Sequence, residues 1–397
     1  MTENSNRPLA GITVIAFEHA VAAPFATRHL ADLGAEVIKI ERKEGDFARD
    51  YDSWVKDQST YFVWLNRGKR SLTLDVKNPK SREVLDRLLA RADILIQNLS
   101  PGASARLGLS YDQLADRYPR LIVCDISGYG EGGPFEKKKA YDLLIQAESG
   151  LVSITGTPDT ATRCGASIAD IATGMYAYSG CLAALVRRGV TGKGGRVQVA
   201  MLDALTEWMN NSLYRFGYGG GQPQRMLMGH PIIVPYGEYK AGDGTAIILA
   251  VQNDREWATF ATKVLDRPDL VDHPDFATNV ARVERREVVK KLVEDRFAEM
   301  DALAVVALLD RADIANARIN DVEAVWNHPQ IAARNRWREV NTEKGPIRAL
   351  LPPVIVDGAE AVMGDVPALG EHNDAILADL KFSPADISAL RHAGAVS

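Results

Sequence analysis

The first 150 residues alternate between two hydrophobic rhythms. Short β-branched apolar runs mark strands, and apolar residues three or four apart mark helices. "GITVIAF" (11–17) is a run of the first kind. "AAPFATRHLADLGA" follows with Phe25, Leu30 and Leu33 at helical spacing, and Gly34 can end that helix. "EVIKIE" (36–41) is the next strand. A strand, a helix and a strand within about 30 residues predict a parallel β-α-β unit. "RSLTLDV", "DILIQNL" and "LIVCDISGYG" read as further strands, with "SREVLDRLLARA" and "SYDQLADRYP" as helices between them. The fold class is therefore α/β, with an open, mostly parallel, Rossmann-like sheet. Ligands on such sheets sit at the carboxyl ends of strands, where Glu41, Asn98 and Ser127 fall.

The rhythm changes after residue 140. "YDLLIQAESGLVSITG" and "SIADIATGMYAYSGCLAALVRRG" are helical stretches rich in Ala and Gly, and "GRVQVAMLDALTEWM" joins a strand to a helix. "GYGGGQPQ" (217–224) breaks the composition and predicts a mobile loop. "YGEYKAGDGTAIILAVQ" predicts a hairpin, and several helices follow to about residue 313. The tail reads as two capped helices. The organisation expected is a large domain of residues 1–205 and 326–397, a small α+β domain of 225–320, and linkers at 206–224 and 321–325.

Composition narrows the function classes. Apolar residues make up 46% and charged residues 25% of the 397 positions, the balance of a globular protein. A net charge of −5 gives no electrostatic case for nucleic acid or an anionic membrane as partner, though local basic patches remain available for a small anion. The start "MTENSNRPLAG" lacks a signal-peptide layout, and apolar runs such as "CLAALV" are too short to cross a bilayer. Cys124, Cys164 and Cys181 have no metal-ligand spacing and read as buried thiols of a cytoplasmic protein.

"GYGEGG" (128–133) matches a dinucleotide fingerprint and follows a strand. Pro134 and three lysines come next, where the fingerprint needs a helix, so an exposed loop is the better reading. The informative stretch is "CGASIADIATGMYAY" (164–178), with Asp170 among small and apolar neighbours. Ser167 and Asp170 fit a capping box at a helix start. A first-turn carboxylate is also stabilised as an anion by the helix dipole, and an ionised, partly desolvated carboxylate is a nucleophile. The two roles are compatible. The seven histidines are scattered, and no metal site is read.

"LADLGAEVIKIER", "NRGKRSLTLDVK", "QNLSPGASARLGL", "SGYGEGGP", "YDLLIQAESGLVSITG", "SIADIATGMYA", "VQVAMLDAL" and "PALGEHNDAIL" are weak singly. In this order over almost the whole chain they resemble the class III CoA-transferases, the family of formyl-CoA transferase and the carnitine CoA-transferases. The resemblance implies an interlocked homodimer, coenzyme A as substrate, no permanently bound cofactor, and Asp170 as nucleophile. It places His19 and Ala20 against CoA, and Arg42 at its phosphates. Asn98, Leu99 and Arg106 would line the nucleotide, Lys139 and Tyr141 would flank the pantetheine and reacting centre, and Met201 would cap the adenine. Arginine forks suit phosphate oxygens. Gly219, Gly220 and Gly221 resemble the glycine-rich loop that shields intermediates in formyl-CoA transferase.

One departure bears on substrate. Formyl-CoA transferase has glutamine where Val21 stands, so formyl and oxalate chemistry is disfavoured. A C4–C5 acid such as succinate, itaconate or mesaconate is expected instead. Arg49 or Arg225 would meet a distal carboxylate. Two other readings use the same fold. An α-methylacyl-CoA racemase needs two acid/base groups, but Tyr141 stands where that family has histidine, before Asp142. A non-catalytic acyl-CoA binding protein would not need Asp170.

Overall fold

The computed structural model describes residues 6–397, which form two compact units. The first comprises the chain up to Leu151, then Arg163–Asn211 and Ile331–Ser397. The second comprises Val152–Thr162 and Ser212–Gln330.

The first unit is built on a six-stranded sheet of β1 (Thr13–Phe17), β2 (Glu36–Glu41), β3 (Lys69–Thr73), β4 (Ile94–Gln97), β5 (Ile122–Ser127) and β6 (Gly195–Ala200). Their spatial order is β3-β2-β1-β4-β5-β6 and every pairing is parallel. Sequence order reverses between β1 and β4, and the crevice at such a switch point is where ligands bind on open sheets. Strands β1, β2, β4 and β5 are almost wholly buried, which explains their unbroken apolar runs.

Helix α1 (Ala22–Asp32) is buried along its whole length. α2 (Thr60–Asn66) and α3 (Ser81–Arg91) follow. A single 24-residue helix, Ile168–Thr191, packs against α1 and carries Asp170 in its first turn. By length and composition this long helix could cross a bilayer, contrary to the expectation from short apolar runs. Here Ala169, Ala172, Thr173, Ala177 and Cys181 are buried, and Ala177 and Cys181 share an apolar core with Val14, Ile94 and Ile122 of the sheet. The C-terminal return closes the β3 side. The Asn373 side chain accepts from the Thr73 amide at 2.9 Å and donates to its hydroxyl at 2.7 Å. Ile376, Leu377, Leu380 and Phe382 enter the same apolar core as Ile38 and Leu72.

The second unit holds an antiparallel sheet of β7 (Tyr236–Lys240), β8 (Ala246–Ala250) and β9 (Ala315–Arg318), with Trp257, Phe260, Val293 and Phe297 in its core. The Ala-Gly-Asp-Gly turn closes the β7–β8 hairpin as its pattern predicts, with Gly244 at φ 83.

Candidate active site

The loop after β1 sits at the switch point and is fixed from two sides. The Asn98 side chain, just past β4, accepts from the His19 amide at 2.9 Å and donates to the His19 carbonyl at 2.9 Å. The next residue, Ala20, has φ 56, a left-handed conformation that an alanine rarely adopts. Its N–H donates to Asp46 Oδ1 at 3.2 Å. Strain of this kind costs roughly 1–3 kcal/mol and persists only when the surroundings over-determine it.

Those surroundings are a buried charge network. Glu18 Oε1 lies 2.7 Å from Lys69 Nζ and 3.4 Å from Lys39 Nζ, and Lys39 Nζ donates to Asp46 Oδ2 at 2.9 Å. Glu18 and Asp46 resist the upward pull of burial because the lysines hold both below the usual carboxylate range. Lys69 is pushed down to about 7, burial outweighing its pairing with Glu18. Burial also lowers His19, leaving its ring neutral at pH 7.

Asp170 is half-buried. The expected capping box is absent. The Ser167 side chain makes no cap bond; its hydroxyl pairs with Tyr61 Oη at 2.9 Å. The cap comes instead from Asp142, whose Oδ1 accepts from the backbone N–H of Ala169 at 2.8 Å and of Asp170 at 3.4 Å. Nor is Asp170 held as an easy anion by the helix terminus. Burial, and then the charge of Asp142, push it up to about 7. Tyr51 stands in the same field: burial, Asp46 and Asp170 push it up to about 12. Its ring meets Tyr61 edge-on at 5.8 Å. Tyr51, Tyr61 and Asp46 escaped the sequence reading, and Asp142 entered it only as the neighbour of Tyr141 in the racemase comparison, not as a cap. The one local signal was the Asp142/Gln146 spacing on a predicted helix.

The other expected residues divide by environment. Arg42, Arg106 and Lys139 are exposed and form no ion pair among the described residues, so their charges are free for an anion. Tyr141 is 63% exposed, immediately before Asp142. Asn98 spends its amide on the His19 backbone, so it shapes the loop. Leu99 packs against the main core. Met201 is buried with Ile145, Ala169 and Leu205, a packing role that leaves little of it to meet a ligand. Val21 is buried with Phe25 and Leu65, against Ile171 of the long helix. Gly219, Gly220 and Gly221 lie in the second unit, exposed, at the end of a helical turn Phe216–Gly220, with Gly219 at φ 94 and Gly221 at φ 69.

The two arginines expected for a distal carboxylate are both occupied. Arg49 forks onto Glu41 at 2.9 and 2.8 Å and lies 3.8 Å over the Phe62 ring. Arg225 donates to the carbonyls of Thr157 at 2.7 Å and Pro158 at 2.6 Å. "GYGEGG" forms a turn without a following helix, as its proline and lysines imply.

Comparison with known proteins bears on this site. The family model described as CoA-transferase family III matches residues 9–373. The chain is 32% identical to the human succinyl-CoA:glutarate CoA-transferase over 401 aligned residues, 99% of this chain and 91% of that protein. It is 33% identical to the succinate–glutarate CoA-transferase of Agrobacterium fabrum, covering 96% and 98%. A crystal structure of a CaiB/BaiF family protein from Brucella suis superposes with a TM-score of 0.81 at 34% identity, covering 95% of this chain and all of that one. With the fold, the switch-point loop and the match from end to end in agreement, this chain belongs to CoA-transferase family III.

Proposed function

We propose that the protein moves CoA between a short acyl-CoA and a C4–C5 dicarboxylic acid, with Asp170 as the covalent carrier. An Asp170 carboxylate oxygen attacks the donor thioester carbonyl. The C–S bond breaks, the thiolate leaves with its electron pair, and a mixed anhydride forms. The thiolate then attacks Cγ of Asp170, and the donor acid departs as carboxylate, leaving an aspartyl-CoA thioester. An acceptor carboxylate attacks that thioester, and the two steps run in reverse to restore Asp170. Each step exchanges one anion for another, so no proton need move. The hazard is water at the anhydride.

The observation that carries this reading is a half-buried carboxylate on the first turn of the long helix that accepts no hydrogen bond among the described residues and is pushed up to about 7. Hydrogen bonds to a carboxylate lower its basicity, so their absence favours a nucleophile. Arg42, Arg106 and Lys139 would meet the CoA phosphates, and the His19–Ala20 turn the pantetheine chain. The dicarboxylate assignment draws on the relatives named for succinyl, succinate and glutarate. A homodimer belongs to the same proposal.

The test is hydroxylamine trapping. Incubation with succinyl-CoA and hydroxylamine should yield a hydroxamate mapped to Asp170, and a free-acid panel should show transfer to glutarate. Asp170→Asn and Asp170→Ala should lose both signals, by at least about a thousandfold in rate, while CoA binding is retained. Transfer at the wild-type rate by Asp170→Ala would end the proposal.

A further inference from the structure

We propose that Asp142 is a positioning residue that sets the reactivity of Asp170: it caps the helix carrying the nucleophile and holds an anion beside it. The inference rests on Asp170 as nucleophile. Asp142 opens the helix Asp142–Glu148. Its Oδ1 takes the N–H groups of Ala169 and Asp170, and its Oδ2 accepts from Gln146 Nε2 at 2.6 Å. Gln146 is buried one turn further on. Its Oε1 accepts from the Cys164 amide at 2.9 Å, and its Nε2 reaches the carbonyls of Cys164 and Ala166 at 3.4 Å. The Asp142/Gln146 pair thus ties down the strap that leads into the long helix.

Two consequences follow for the nucleophile. The first-turn N–H groups that would ordinarily favour an anion at Asp170 are spent on Asp142. Among the described residues Asp142 accepts three hydrogen bonds from N–H groups and Asp170 none, so negative charge rests on Asp142 and repels a second one. The groups around Asp170 do not offset this. They are Asp142, Tyr141 before it, Tyr51 past the short turn Phe47–Asp50, and Tyr61 of α2, reached through Ser167. None is a cation. When Asp170 becomes anhydride or thioester its charge leaves with the displaced thiolate or acid, and the repulsion is relieved. Asp142 therefore raises the free enzyme relative to the covalent intermediates, and a more basic carboxylate attacks faster.

The test is kcat/KM from pH 5 to 9 with succinyl-CoA and glutarate, for wild type, Asp142→Asn and Asp142→Glu, with hydroxamate mapping on each. The wild-type acid limb should fall near 7. In Asp142→Asn, whose amide oxygen can still cap the helix, the limb should move down by about one pH unit or more. Its plateau rate should fall about tenfold. Asp142→Glu should keep the wild-type limb. An unmoved limb in Asp142→Asn overturns the proposal, and so does a wild-type limb at the ordinary carboxylate pH, which needs no variant to fold. Wild type yielding no hydroxamate would instead sink the nucleophile reading.

Discussion

At the scale of one residue, Asp170 should weaken the fold it serves. Its proton is taken up near 7 in the folded chain and near the ordinary 3.8 in the unfolded one. Between those values the folded state binds more protons, so this group's contribution to stability declines as pH rises from about 4 to 7 and is lowest above 7. Asp170→Asn removes the charge and should stabilise the protein by a few kcal/mol at pH 8, and by less at pH 5. Thermal melts at the two pH values check this; an equal gain at both would show that the carboxylate titrates normally. The residue itself was legible in the sequence because a lone charge among small side chains stands out. Its environment was not. Ser167 turned to a tyrosine 106 positions away, and the cap arrived from Asp142, 27 positions upstream of Ala169. A capping box is a local pattern, and long-range partners won both hydrogen bonds.

At the scale of elements, α1 and the long helix approach closely because of Gly174. A Cβ there would lie 2.6 Å from the Ala22 carbonyl oxygen and 3.0 Å from the Phe25 ring. Alanine in place of an unconstrained helical glycine gains about 1 kcal/mol. At this position the new methyl meets backbone, which cannot swing aside, and overpacking costs roughly 1–3 kcal/mol. Gly174→Ala should therefore lower the melting temperature, and it should lower activity too, because Ala22 directly follows the Val21 end of the switch-point loop. A variant that melts higher would show slack between the helices. The elements themselves were legible wherever a single rhythm ran: the strands of the first 150 residues and the paired tail helices stand where periodicity put them, with Ser383 and Asp386 forming a capping box. Residues 152–156 read only as the end of a helical stretch, and 157–162 have no rhythm. They join the rest of the second unit through the Arg225 side chain and the Leu227 amide, which donates to the Gly156 carbonyl at 2.9 Å, contacts no window of sequence contains.

At the scale of the molecule, the long helix is two-faced. Its sheet side is buried, whereas Met175, Ser179, Ala183, Val186 and Val190 fall at spacings of three and four on the other side and are exposed. Val186 is 72% and Val190 86% exposed. A stripe of small and apolar residues along one face of a helix is the form that helix-to-helix packing uses, and the homodimer proposed above would bury it against a second copy. Sedimentation should then give twice the chain mass of 43.4 kDa. Burying a valine is worth about 1.5 kcal/mol or more, so Val186→Arg with Val190→Arg should weaken association at least about a hundredfold. These side chains lie outside the core of their own chain, so the double variant should keep its circular dichroism spectrum while its sedimenting mass falls toward 43.4 kDa. Two results would separate dimer from monomer without ambiguity. A wild-type chain that sediments at the single mass leaves the stripe without a partner copy. A double variant that sediments as wild type means that the copies meet on another surface.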